Sequence, residues 1–138
     1  MSAFPIHPKS IDAIWPAVEP MIAEACKTSR GRFGTDYWHE FCKGSGTLWV
    51  ATNIADEINA VAIAMIMQQG ARRICRMRGV SGENMPSWVS HISDVEQWAK
   101  SNGCDGMEIV GGRGWERVLK PYGYSLTHVV LEKDFFDG

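Results

Sequence analysis

The stretch from Asp94 to Tyr124, DVEQWAKSNGCDGMEIVGGRGWERVLKPYGY, changes its hydrophobic period repeatedly within a few turns of chain. Trp88, Ile92, Val95 and Trp98–Ala99 recur at three- and four-residue intervals with polar residues between them, the spacing of a helix with one apolar stripe. Asn102–Gly103 then supplies the left-handed residue that stops a helix. Met107, Ile109 and Val110, bounded by Gly106 and Gly111–Gly112, read as a short buried strand. Trp115, Val118 and Leu119 share one face of a second helix over Trp115–Lys120, ended by Pro121 and Gly123. A further strand-like run follows at Val129–Val130. Helix, strand, helix, strand with such short connections is an α/β pattern.

The upstream half supplies the rest of a sheet. Thr47–Thr52, Ile58–Gln69 and Arg72–Val80 are strand-like runs separated by Asn53–Glu57 and by Gly70. Neither gap has room for a crossover helix, so the three form an antiparallel meander. Before them, Pro16 suits the first turn of a helix reaching about Thr28, with Pro20 blurring its start. Thr35 or Asp36 caps a second helix, whose aromatic face is Tyr37–Trp38 and Phe41. Met1–Lys9 reads as an extended lead-in and Ser29–Gly34 as a basic loop. One domain over 1–138 accounts for this length, which fills one core and not two.

Composition narrows the function classes. The formal net charge of -2 gives no whole-chain case for nucleic acid or membrane as partner. Cys26, Cys42, Cys75 and Cys104 contain no CxxC pair and no metal-ligand spacing with the histidines, so they read as free thiols of a reducing compartment. No metal site is expected. The N-terminus lacks the basic-then-apolar pattern of a secretory leader, and the longest apolar run, Val61–Met67, is strand-sized.

The order helix–WAKSNGC–strand–short helix–YGY–strand resembles the C-terminal half of the GNAT superfamily of N-acetyltransferases. GWERVLKPYGYSLTHVVLEK is similar to that family's last helix, Gly-aromatic turn and final strand. The resemblance covers about the last two thirds of the chain. It implies a GNAT-like α/β fold, a mixed and mostly antiparallel sheet flanked by helices. Within the family, the WAK-x-x-GC, GW-x-RVLK and VVLEK texture looks like small GNAT-like proteins of tailed bacteriophages.

The resemblance also implies a backbone cradle for the pyrophosphate of coenzyme A, written Gln/Arg-x-x-Gly-x-Gly/Ala, because side chains there would block the phosphates. Two registers are open. Arg76-Met-Arg-Gly79-Val-Ser81, with Gly82 beyond it, nearly fits the pattern. Counting back without gaps from Trp98 puts Glu83–Trp88 in the cradle instead, where Pro86 has no N–H and Trp88 is bulky. On either register the cradle is poor, and Pro86 and Trp88 in place of small residues predict coenzyme A binding of millimolar order or weaker, less than about 4 kcal/mol.

Many family members place a tyrosine acid four residues before the Gly-aromatic turn; here that position is Leu119, which transfers no proton. Glu108 and His128 remain as candidate bases and Tyr122 as a candidate acid, although a lone strand histidine is more often structural. The Gly111–Trp115 loop reads as a tight turn. Arg72, Arg73, Arg76 and Arg78 crowd one strand and make a candidate interface for other proteins, those of a phage particle among them.

The sequence therefore predicts a non-catalytic GNAT-fold protein, virion-associated or concerned with assembly, with no cofactor and an open oligomeric state. It would work in a host cytoplasm or a virion. The alternative is an acetyl-CoA-dependent N-acetyltransferase with a degenerate pyrophosphate loop.

Overall fold

The computed structural model describes residues 2–27, 34–82, 89–110 and 114–135. Among them, five strands form one sheet in the order β1 (Ser2–Pro5), β2 (Thr47–Thr52), β3 (Ile58–Gln69), β4 (Arg72–Gly82) and β5 (Gly106–Ile109). The first four run antiparallel to their neighbours, and β5 lies parallel to β4. Parallel neighbours need a crossover, and α3 (Ile92–Ser101) supplies it. The other helices are α1 (Ile11–Cys26), α2 (Thr35–Lys43) and α4 (Gly114–Leu119), the last continued by a 3-10 turn over Lys120–Tyr122. This is the mixed α/β, GNAT-like architecture that the sequence predicts.

Alternation along β2 and β3 divides the core in two. Leu48, Val50, Val61 and Ile63 face Ile11, Trp15, Val18 and Ile22 of α1 and Trp38 and Cys42 of α2. On the other face, Trp49, Ala51, Ala60, Ala62 and Ala64 meet Ile92, Val95 and Ala99 of α3 and Leu119 of α4. The α1 side has branched side chains on the sheet, whereas the α3 side has alanines. Alanines leave room for indoles, and Trp49 takes it, packing edge-to-face on Trp98 with ring centroids 5.7 Å apart. Each fully buried Leu, Ile or Val on either face contributes about 1.5–3 kcal/mol.

Four expectations change. The lead-in is an edge strand, with Phe4 opposite Val50 and Ala3 opposite Ala51; it lacks alternation of its own and takes its register from β2. The first helix begins at Ile11, and Pro16 and Pro20 lie inside it. Both prolines are exposed, so the carbonyls of Asp12 and Pro16, which lose their helical donors, stay on the side open to water. Trp98, on the apolar stripe of α3, is only half-buried and packs edge-to-face on Trp49 of β2. Finally, no strand forms after Tyr124 among the described residues. Ser125–Phe135 is irregular, and Leu126, Val129, Val130 and Leu131 are 62, 69, 71 and 90% exposed.

The turn before that segment is tightly made. Gly123 adopts φ 91°, a left-handed conformation that favours glycine, and the Tyr124 N–H donates to the Leu119 carbonyl at 3.3 Å. The start of α1 is tied to α2. His39 Nε2 and Lys43 Nζ lie 2.7 and 3.2 Å from Asp12 Oδ1, and the His39 ring stacks on Trp15. The hydrogen bond from His39, then that from Lys43, holds the Asp12 carboxyl below its ordinary value.

Candidate cofactor site between two parallel strands

In a sheet with parallel strands, ligands bind beyond the carboxyl ends of the strands. The β4–β5 pair has an irregular end there. Its ladder joins Ile74–Met77 to Gly106–Ile109, and one more bond runs from the Val110 N–H to the Met77 carbonyl at 3.1 Å. β5 then stops, while β4 continues beside β3 alone to Gly82. β4 also gains a residue here: Ile63 pairs with Arg78 but Val61 with Ser81, so three steps on β4 match two on β3. A bulge of this kind bends a strand and increases its twist, and bulges recur beside functional sites. Among the described residues, the outer edge of Arg78–Gly82 is therefore left without a partner strand, an opening in the ladder. α3, the crossover that follows β4, begins at the same end, and a helix start attracts negative charge. Asp94 sits in its first turn and offsets part of that attraction.

Arg76, Gly79, Ser81 and Gly82 are all strand residues of β4 and not part of a loop leading into α3. The Arg76 Nε–H donates to Glu108 Oε1 across the parallel register, each side chain being 21% exposed. Glu108 is thus half-buried and ion-paired. The alternative cradle, Glu83–Trp88, lies outside the described residues, as do Gly111–Arg113 of the glycine loop.

The arginine group is not one patch. Arg72, Arg76 and Arg78 alternate with Arg73, which faces the other way. Arg73 Nε–H donates to the Asn102 carbonyl at 2.9 Å, and its N–H to Asp105 Oδ2 at 2.9 Å, so it clamps the end of α3. Arg72 is exposed and its guanidinium runs close to Gly106. Arg78 is half-buried, with no ion pair to a described residue.

The acid and base candidates do not converge. Tyr122 is 53% exposed on the 3-10 turn. His128 sits in the exposed segment, its Nδ1 3.0 Å from Thr127 Oγ1. Leu119, at the tyrosine position of the family, is 2% exposed in the core. Sequence reading missed two groups. Tyr124, which reads as turn packing, donates its hydroxyl to Glu96 Oε2 at 2.6 Å; nothing in an exposed-looking helix position marks Glu96 as its partner. Burial, then that carboxylate, drives the Tyr124 phenol well above its ordinary value. Asn59, next to the Ala60–Gly82 pair and so near the opening, has a buried Oδ1 without a partner among the described residues. Burial pushes the Cys42 and Cys75 thiols up to about 12, which makes both unreactive at neutral pH. No group of three metal-ligating side chains occurs among the described residues, nor does a helix long and apolar enough to cross a membrane.

No family model matches the sequence, and no curated protein matches it either. Solved structures do. The BH1408 protein of Bacillus halodurans, as a tetramutant, superposes with a TM-score of 0.69 at 13% identity, covering 98% of this chain and 100% of that one. An acetyltransferase of Trypanosoma brucei gives 0.68 at 10% identity, over 97% and 99% of the two chains. Glucosamine-6-phosphate N-acetyltransferase of Arabidopsis thaliana gives 0.65 at 12% identity, over 98% of each. The fold is GNAT-like, and at these identities the likeness to these neighbours is one of fold alone.

Proposed function

We propose that the protein is an acetyl-CoA-dependent N-acetyltransferase that works without a side-chain acid on its last helix. The observation that supports this reading is the opening beyond Met77–Ile109, where a bulged β4 runs on to Gly82 without β5. The pantetheine arm of coenzyme A carries two amides and can bond along such an edge as an added strand would. Its thioester would then be held at the end of the β4–β5 pair. The amine of the acceptor attacks the carbonyl carbon, the C–N bond forms, and the C–S bond breaks with its electrons on sulfur. Leu119 offers no proton, so the departing thiolate takes one from water, and the amine's proton leaves to water.

Calorimetric titration with acetyl-CoA tests the reading, with hydrogen exchange as the second measurement. Micromolar binding with slowed exchange of the amides of residues 78–82 is the expected result. Binding of millimolar order, or protection elsewhere, overturns it.

A second reading has its own observation. The buried Leu119 in place of an acid favours a non-catalytic protein of the tailed-phage type, acting through protein contacts. Arg78, which like Arg72 has no ion pair to a described residue but is half-buried, is the side chain to change in that case. Arg78→Glu should abolish capture of the protein partner, whereas Arg76→Glu would set two carboxylates together at Glu108 and disturb the fold.

A further inference from the structure

Four arginines stand on β4, and three of them have either a partner or water. Arg73 Nε–H donates to the Asn102 carbonyl, and Arg76 Nε–H to Glu108. Arg72 is exposed, so water solvates its guanidinium. Arg78 differs from all three: it is half-buried, and its guanidinium has no hydrogen-bond or ion-pair partner among the described residues. A charge partly withdrawn from water is costly to leave unmatched, so this one calls for an anion. Met77–Ile109 is the last pair of the β4–β5 ladder, which makes Arg78 the first residue of β4 beyond it, at the end where the thioester would be held. Alternation fixes its face. Cys75 and Met77 pack with Ile92, Val95 and Ala99 of α3, so Arg76 and Arg78 lie on the opposite face. Ile63, the cross-strand partner of Arg78, shares a cluster there with Val18 and Ile22 of α1. Val61, Ile63 and Met65 of β3 bring no charge to that face, and Glu108 of β5 is already bonded to Arg76.

We infer that the acceptor is an amine that also carries an anion, a carboxylate or a phosphate, held by Arg78 on the α1 face while the amine meets the thioester. The inference rests on the acetyltransferase reading above. A guanidinium presents its donors as a planar fork, which matches two oxygens of either anion. The phosphates of the cofactor are the competing partner. They favour the other face of the sheet, because α3 packs on that face and its start draws negative charge. The transfer step is unchanged: the C–N bond forms, the C–S bond breaks with its electrons on sulfur, and the amine's proton leaves to water. The acceptor's anion enters and leaves with its charge intact, so Arg78 sets specificity and moves no proton.

Acceptors in matched pairs test this: glycine against glycinamide for the carboxylate, and phosphoethanolamine against ethanolamine for the phosphate. Each is assayed with acetyl-CoA for kcat/KM in the parent, in Arg78→Gln and in Arg78→Lys, with circular dichroism to check the fold. The expected result is a preference of at least about 30-fold for the anionic member of one pair, which also says which anion is recognised. That preference should disappear in Arg78→Gln and survive in part in Arg78→Lys, which keeps the charge without the fork. Nuclear magnetic resonance gives a readout without turnover. The arginine Nε–H signal missing from Arg78→Gln should shift in the parent on titration with acetate or with inorganic phosphate. A signal that stays in place through both titrations overturns the inference. So do equal rates within both pairs in the parent, an outcome that leaves the acetyltransferase reading standing. Weaker acetyl-CoA binding in Arg78→Gln with an unchanged acceptor preference assigns Arg78 to the cofactor and also overturns it. No acetyl-CoA binding by the parent overturns the reading, and this inference with it. Where acetyl-CoA binds but none of the four amines is acetylated, the two anion titrations decide.

Discussion

Thr47–Thr52 and Leu126–Leu131 are both short runs of branched and aliphatic residues, and they meet opposite fates. The first lies between β1 and β3, bonded on both edges, with Leu48, Trp49 and Val50 at most 2% exposed. The second has no ladder on either side, and Leu131 is 90% exposed. Composition alone therefore does not make a strand; what differs is the presence of neighbours to bond. β1 makes the same point from the other side. It contains Pro5 and no alternation, yet it is a strand because the edge of β2 was there to pair with.

The largest test of the contrast is a matched pair of truncations. Leu48→Ala should cost about 3 kcal/mol in chemical denaturation, because it leaves a cavity between β2 and α1. Leu131→Ala should stay within about 0.5 kcal/mol, as exposed substitutions do. Equal losses would show that the segment is buried.

Trp98→Ala sharpens the comparison within the paired region. The indole is half-buried against Trp49, so a loss of about 2 kcal/mol is expected, below the cost of a fully buried tryptophan. A loss near 4 kcal/mol would mean that the α3 face is as closely packed as the α1 face.

The smallest effect lies at the boundary between the two regions. Tyr124→Phe removes one hydroxyl bond to Glu96 and should cost about 1 kcal/mol at neutral pH. The folded phenol titrates above its ordinary value of 10.0, so its contribution is complete below that pH and declines as pH rises beyond it. Denaturation curves recorded between pH 8 and about 11 should therefore slope less steeply for Tyr124→Phe than for the parent.

Much of the sheet was legible because its punctuation is local. Gly70 separates β3 from β4, and Asn102–Gly103 closes α3 with Gly103 at φ 78°. Features depending on distant partners were not legible. The Arg76–Glu108 pair joins residues 32 apart, and only the parallel register brings them together. The start of α1 was misread because Pro16 is a good opening residue, and sequence alone does not say which side of a helix faces water. The opening beside β4 was illegible for a related reason: Gly111–Gly112 mark the end of β5, but only the parallel register sets that end short of Gly82 on β4.

Those two prolines also bear on the order in which the molecule assembles. A proline inside a helix costs about 3 kcal/mol relative to alanine, and α1 contains two, four residues apart. Such a segment holds almost no helix on its own in an unfolded chain. It gains its shape only when Ile11, Trp15, Val18 and Ile22 find the sheet already formed, so its docking belongs to the late part of the folding reaction. Val18→Ala should then speed unfolding in stopped-flow experiments and leave the refolding rate nearly unchanged. A slowed refolding limb would place α1 in the nucleus. The helix that covers half of the core would be, in time, its last layer.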